Sequence, residues 1–212
     1  DAVRQPAERY DCQIIPVDNH GIISVKQAKQ LVDDKTVLIS VMMANNEIGT
    51  IQDIREAAKI THEKGVFFHT DAVQAFGKTS LQLEGLGVHF MSFSGHKLHA
   101  PKGIGGLYAN RRVPFAPLLR GTQENARRGG TQNVAGIVAF GKAAELAASP
   151  FDTALRDHLE STLLTKIPGS TVNGDRTHRL PNTTNLSFSG IDSGDALILV
   201  DERGICCSAG SS

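Results

Sequence analysis

Tryptophan is absent from this 212-residue chain, cysteine occurs only three times, and aromatic residues make up 5% of it. So few cysteines, at Cys12, Cys206 and Cys207, exclude a disulfide framework, and their spacing excludes a thiolate zinc site. A reducing compartment is expected. Cys206 and Cys207 are adjacent, so in an extended strand they would point to opposite faces, and a bond between them would be strained. An excess of either charge is missing too, since 22 Lys plus Arg balance 22 Asp plus Glu. That argues against nucleic acid or a membrane surface as partner, both of which call for a basic excess or stripe. No apolar run approaches the roughly 18 residues a membrane-spanning helix needs. No signal peptide opens the chain. The opening, DAVRQPAERYDCQIIPVD, has no initiator Met, so the chain is expected to start in mid-protein, and a cytoplasmic location is only the default expectation.

What the sequence does contain is 40% hydrophobic residues and 21 scattered glycines, the composition of a globular chain with a sizeable core. Strand and helix patterns alternate. CQIIPV reads as a short strand, followed by a helix opened by Ser24 with Gln27 three residues on. The apolar run TVLISVMMA suits a strand buried on both faces. DIREAAKITHEK reads as an amphipathic helix with Asp53 as its cap and Gly65 as its stop. Three short strands follow, VFFHT, HFMSF and IGGLYA, and then a loop rich in Gly and Arg. This alternation predicts an α/β fold with a mainly parallel sheet and helices on both faces. From Gln132 the pattern changes to a small-residue helix, NVAGIVAFGKAAELAA, and a second helix is expected from Thr153 to Lys166. STVNGD, TTNLSFSGI, SGDALILVDERG and ICCSAGSS then read as strand, strand, helix and strand. A domain boundary near Ser149 is expected, dividing a large domain, 1–148, from part of a smaller α+β domain, 149–212.

In an open parallel sheet, ligands sit outside the carboxyl ends of the strands. Three polar clusters fall there. They offer a carboxylate, Asp71; two amides, Asn46 and Gln74; and Lys97, preceded by Ser94 and His96. A lysine amine can form a Schiff base with an aldehyde, and a carboxylate opposite a pyridine nitrogen keeps that nitrogen protonated, making the ring an electron sink. Amides can hold a phenolic oxygen. A hydroxyl, an imidazole and a Gly-rich backbone can hold a phosphate. Together these are the requirements of pyridoxal phosphate. Asp71 and Lys97 are expected to face each other at the ends of neighbouring parallel strands. His62, His69, His89, His96 and His99 lack partners at metal-ligand spacing, so no metal site is expected.

The stretches MMANNEIGTIQDI, FFHTDAVQAFGK, FMSFSGHKLHAPKGIGGLY and RRGGTQN resemble the cysteine desulfurases, class V aminotransferase-like enzymes whose relatives include selenocysteine lyase. The resemblance runs from about Cys12 to the end of the chain. It implies the large domain of pyridoxal-phosphate fold type I, with Lys97 as the cofactor lysine and catalytic residue. Asp71 would partner the pyridine nitrogen, Gln74 would donate to the phenolic oxygen, and Ser94 and His96 would bind the phosphate. Asn46 would lie beside the ring and the substrate, L-cysteine. Thr131 would reach the phosphate of a second subunit, which implies a homodimer. The implied reaction takes L-cysteine to L-alanine and an enzyme-bound persulfide for a sulfur-acceptor protein such as an iron–sulfur cluster scaffold.

The family's upstream Gly-Thr turn and ring-stacking His have no counterpart in the sequence. Its reactive Cys is expected just beyond Ser212, on a mobile loop into which SAGSS leads, and its substrate-carboxylate Arg further on. Selenocysteine lyase, another class V lyase or transaminase, and an inactive module that only dimerises or binds are the competing readings. Cys206 and Cys207 read as small strand residues rather than sulfur carriers.

Overall fold

The computed structural model describes residues 3–147 and 151–210, and the expected boundary at residues 148 and 149 lies outside them, as does the end of the SAGSS tail. Local sequence sets most element ends. After a single turn, α1 (Arg4–Ala7), the helix α2 (Val25–Leu31) opens where the Ser24 hydroxyl accepts from the Gln27 amide at 3.3 Å. Next come β1 (Leu38–Met42) and α3 (Ile54–Lys64). Asp53 caps α3 by accepting from the Glu56 amide at 2.9 Å, and Gly65, at φ 69°, ends it in the left-handed conformation that glycine adopts without strain.

The strands β2 (Phe67–Asp71) and β3 (Phe90–Ser94) follow, and a 3-10 turn, Gly95–Leu98, leads on to β4 (Gly105–Ala109). The sheet order is β1-β2-β3-β4, parallel except for the last strand, which pairs antiparallel with β3. The chain continues through α4 (Gln123–Ala126), α5 (Val134–Leu146), α6 (Ala154–Lys166), a two-stranded antiparallel sheet of β5 (Ser170–Val172) and β6 (Leu186–Phe188), and α7 (Ser193–Asp201). This is the expected α/β architecture, a mainly parallel sheet flanked by helices.

Side chains alternate across the strands, so the sheet has two unlike faces. One face carries Ile39 and Val41, Phe68 and Thr70, and Met91, all buried in a core with Ala28 of α2 and Ile54, Ala57, Ala58 and Ile60 of α3. Phe68 alone, fully buried, contributes about 2–3 kcal/mol. Lys29 and Glu63 form an exposed ion pair between α2 and α3. The other face carries Ser40, His69, Asp71, Ser92 and Ser94.

Three readings of the sequence are corrected. CQIIPV is not a strand: it makes one isolated bridge, Val17 to Ile23, and Ile14 is exposed. ICCSAG is not a strand either, and both cysteines are exposed. The β1 run is buried on one face only, because Leu38 and Met42 are 50% and 37% exposed. Among the described residues β1 is an edge strand with a neighbour on one side alone.

Candidate functional site

The parallel pairing of β1, β2 and β3 brings three chain crossings to one sheet edge. Met42 lies opposite Asp71, and Asp71 opposite Ser92, so Asp71 closes β2 between two neighbours while Ser94 closes β3 two residues further on. Asp71 is half-buried, and its Oδ1 accepts from the Val73 amide at 2.9 Å, which turns the chain away from the sheet. Beneath Asp71 a hydrogen-bonded row crosses the same face. The Ser40 hydroxyl meets His69 Nδ1 at 2.7 Å, and His69 Nε2 meets the Ser92 hydroxyl at 2.7 Å. A neutral ring has one donor and one acceptor nitrogen, so one serine donates to it and the other accepts. Burial pushes the His69 pKa down, while the Asp71 carboxylate pulls it back up.

After β3 the chain winds into the 3-10 turn that holds Lys97. Leu98 anchors that turn in the interior, the Gly95 amide donates to Ile104 O at 3.0 Å, and His96 and Lys97 are exposed. The Ser94 hydroxyl and His96 Nδ1 are 2.6 Å apart, so the two form one polar unit. His99 ends the turn at φ 65°, a left-handed conformation that costs a non-glycine residue about 1 kcal/mol. Strain of this kind collects at functional sites.

Gln74 lies in the turn after β2, where its Oε1 accepts from Lys78 Nζ at 2.7 Å. Lys78 is half-buried, and burial, with the nearby Lys97 charge, pushes its pKa down. Asp71, Gln74, Lys78, Ser94, His96 and Lys97 thus lie on the segments leaving the carboxyl ends of two adjacent strands. Asn46 is exposed on the loop after β1. That loop is shaped by its neighbour Asn45, whose Oδ1 accepts from the Glu47 and Ile48 amides at 2.8 and 2.9 Å. Thr131 is exposed on the loop before α5. No hydrogen bond among the described residues ties it to the strand ends.

The sequence reading missed Lys78, Asn45 and the Ser40–His69–Ser92 row. For Asn45 a signal existed, since an Asn followed by turn residues favours its own backbone amides. For the other two the signal is pairing between strands and turns, which spacing along the chain does not carry.

The donor set fits pyridoxal phosphate. A half-buried carboxylate, an amide whose N–H end has no hydrogen-bond partner among the described residues, a hydroxyl–imidazole pair and an exposed primary amine are the groups that its ring nitrogen, phenolic oxygen, phosphate and aldehyde require. Two surface cavities lie elsewhere: one of about 290 Å³ includes Met43, Arg55 and Leu86, and one of about 870 Å³ includes Tyr108, Arg112 and Arg127. The strand ends take precedence over both because the chemistry-bearing groups gather there.

The chain belongs to the class V aminotransferase family, since residues 3–212 match the family described as Aminotransferase class-V. Within it the likeness is to cysteine desulfurases. The cysteine desulfurase of a Nostoc species is 47% identical over 210 residues, covering 96% of this chain and 52% of the relative. The cysteine desulfurase NifS of Azotobacter vinelandii is 44% identical over 213 residues, covering 97% and 53%. Among solved structures, a NifS-like protein from Rickettsia africae is 32% identical, with a TM-score of 0.89 over 98% of this chain and 61% of that one. A second structure, described as SspA in complex with cysteine, is 31% identical, with a TM-score of 0.78 over 95% and 57%. The chain spans about half the length of the curated relatives it matches.

Proposed function

We propose that this chain forms the cofactor-binding part of a pyridoxal-phosphate-dependent cysteine desulfurase, with Lys97 as the residue that carries the cofactor. The observation behind this reading is the gathering of Asp71, Gln74, the Ser94–His96 pair and the Lys97 turn at the carboxyl ends of β2 and β3. Similarity to cysteine desulfurases at 47% and 44% identity supports the substrate, as does the solved relative in complex with cysteine.

Each side chain has a task in this reading. Asp71 holds a proton on the pyridine nitrogen. Gln74 donates to the phenolic oxygen, and Ser94 and His96 hold the phosphate. Asn46, on the loop after β1 that Asn45 shapes, borders the amino acid. Lys97 would hold the cofactor through its amine and, once free, would move the proton at the substrate Cα. Bound pyridoxal phosphate supplies a ring that takes up the electrons released at that carbon. As the substrate C–S bond breaks, the sulfur forms an S–S bond with a thiol, and L-alanine leaves. A sulfur-acceptor protein then takes the sulfur from the persulfide. Thr131 reaches the phosphate of a second copy, making the working enzyme a homodimer.

Absorbance and intact mass test the cofactor claim directly. Incubated with pyridoxal phosphate, the chain is expected to gain a visible band, and borohydride reduction is expected to fix the cofactor's mass on the peptide containing Lys97. Lys97→Ala is expected to lose both. A reduced adduct on another lysine, or none in the wild type, would overturn the assignment.

A further inference from the structure

We propose that Lys78 is a positioning residue that locks the Gln74 side chain with its NH2 end toward the strand-end site. The proposal rests on the reading of that site given above. A lysine ammonium has three donors and no acceptor, so the group that meets it at 2.7 Å must be the amide oxygen of Gln74. With that oxygen held, Gln74 has two N–H bonds left to offer. It becomes a donor only, matched to an electron-rich oxygen and mismatched to another N–H or O–H donor.

The backbone keeps Lys78 in place for this. Residues Ala72 to Thr79 wind as a tight turn, with the Phe76 amide on Ala72 O at 2.8 Å and the Lys78 amide on Ala75 O at 3.0 Å. Gly77 sits inside it at φ 73°, and a Cβ there would come within 2.5 Å of Leu98 Cδ2. The turn carrying Gln74 and Lys78 is therefore packed directly on the turn carrying Lys97. A solvated surface lysine would be the alternative, but Lys78 is half-buried beside a second cation, and no salt bridge joins it to a carboxylate among the described residues. In that setting an ammonium gains from a fixed amide oxygen, and the amide gains a single orientation.

Glutamine-selective NMR of the 212-residue chain reads the orientation without any cofactor. The Gln74 side-chain N–H signals are identified by their loss in Gln74→Glu. In Lys78→Met they are expected to move and broaden as the amide rotates, and in Lys78→Arg, which keeps a donor, to stay near their wild-type positions. Lys78→Ala repeats the test should the methionine variant fold poorly. Gln74 signals unmoved in the folded variant would overturn the proposal.

A second readout uses pyridoxal phosphate as the probe. A donor on the phenolic oxygen draws electron density away and weakens proton binding nearby. The pH midpoint of the bound cofactor's visible absorbance is therefore expected to rise in Lys78→Met by about half to one unit, the effect of one hydrogen bond. Lys78→Arg should return it toward the wild-type value, and an unchanged midpoint in Lys78→Met counts against the lock. A wild-type chain with no visible band at all would sink the proposed function instead, and the amide signals would still decide the role of Lys78.

Discussion

Thr70 shows how much a single hydroxyl matters inside this sheet. It is fully buried in β2, opposite Val41 on one side and Met91 on the other, and its Oγ1 has no hydrogen-bond partner among the described residues. An unpaired buried hydroxyl costs about 1–3 kcal/mol, so Thr70→Val, which keeps the shape and removes the oxygen, should stabilise the fold by about 1 kcal/mol. Thermal unfolding checks this; a lower midpoint in the variant would mean that the hydroxyl is satisfied after all. At this scale the sequence was readable wherever a residue's own chemistry announces its use. Lys97 and Asp71 stood out because a primary amine and a carboxylate followed apolar strands. Lys78 did not, because its role depends on where Gln74 and Leu98 lie in space.

The strand β2 is the element on which the site hangs, and its two faces do different work. Phe68 and Thr70 fill the core, while His69 joins Ser40 and Ser92 across three strands under Asp71. The pKa of His69 is lowered in the folded protein, chiefly by burial. The unfolded chain takes up its proton near pH 6.5, and the folded chain resists until lower pH. The stability that neutral His69 contributes is thus complete above about pH 6.5 and lost as pH falls through the folded value. His69→Gln should therefore show a flatter dependence of unfolding midpoint on pH between about 7 and 5 than the wild type. An equal slope would remove His69 as the cause. Elements with their own caps, such as α2 and α3, were legible from Ser24, Asp53 and Gly65. CQIIPV and ICCSAG were not, because an apolar or small-residue run becomes a strand only beside a neighbour that accepts its hydrogen bonds, and no spacing rule supplies that neighbour.

At the scale of the whole molecule, a strap from Gly174 to Asn185 is bonded to the loop that carries Asn46. Ile51 and Leu180 donate to His178 O and Gly49 O, each at 2.8 Å, and the Asp175 amide donates to the Thr50 hydroxyl at 3.0 Å. The strap is held from behind by Glu160 of α6, which accepts from the Arg179 guanidinium and from the Thr184 hydroxyl at 2.7 Å. Glu160 and Arg179 side chains are only 4% and 7% exposed. Removing one partner of such a pair leaves the other charge buried, so Glu160→Ala should cost about 3–5 kcal/mol, read as a lower urea midpoint. The Arg179 contact holds the Glu160 carboxyl below its ordinary pKa, against the opposing pull of burial, so its contribution is present above the unfolded value and is lost as pH falls. None of this was visible in the sequence, where Glu160 reads as one more charge on a helix. The strap also has a temporal consequence. The Thr50 contact spans 125 residues of chain and the Asn185 contact to Glu47 O spans 138, whereas β1 and β2 pair across far shorter loops. Closing long loops is entropically costly and slow, so during folding the parallel ladder should assemble first and the Asn46 loop last. In pulsed hydrogen exchange, the Ile51 and Leu180 amides are expected to gain protection together, and later than the amides of β2, so that the Asn46 border of the candidate site would solidify after the strand ends that carry the rest of it.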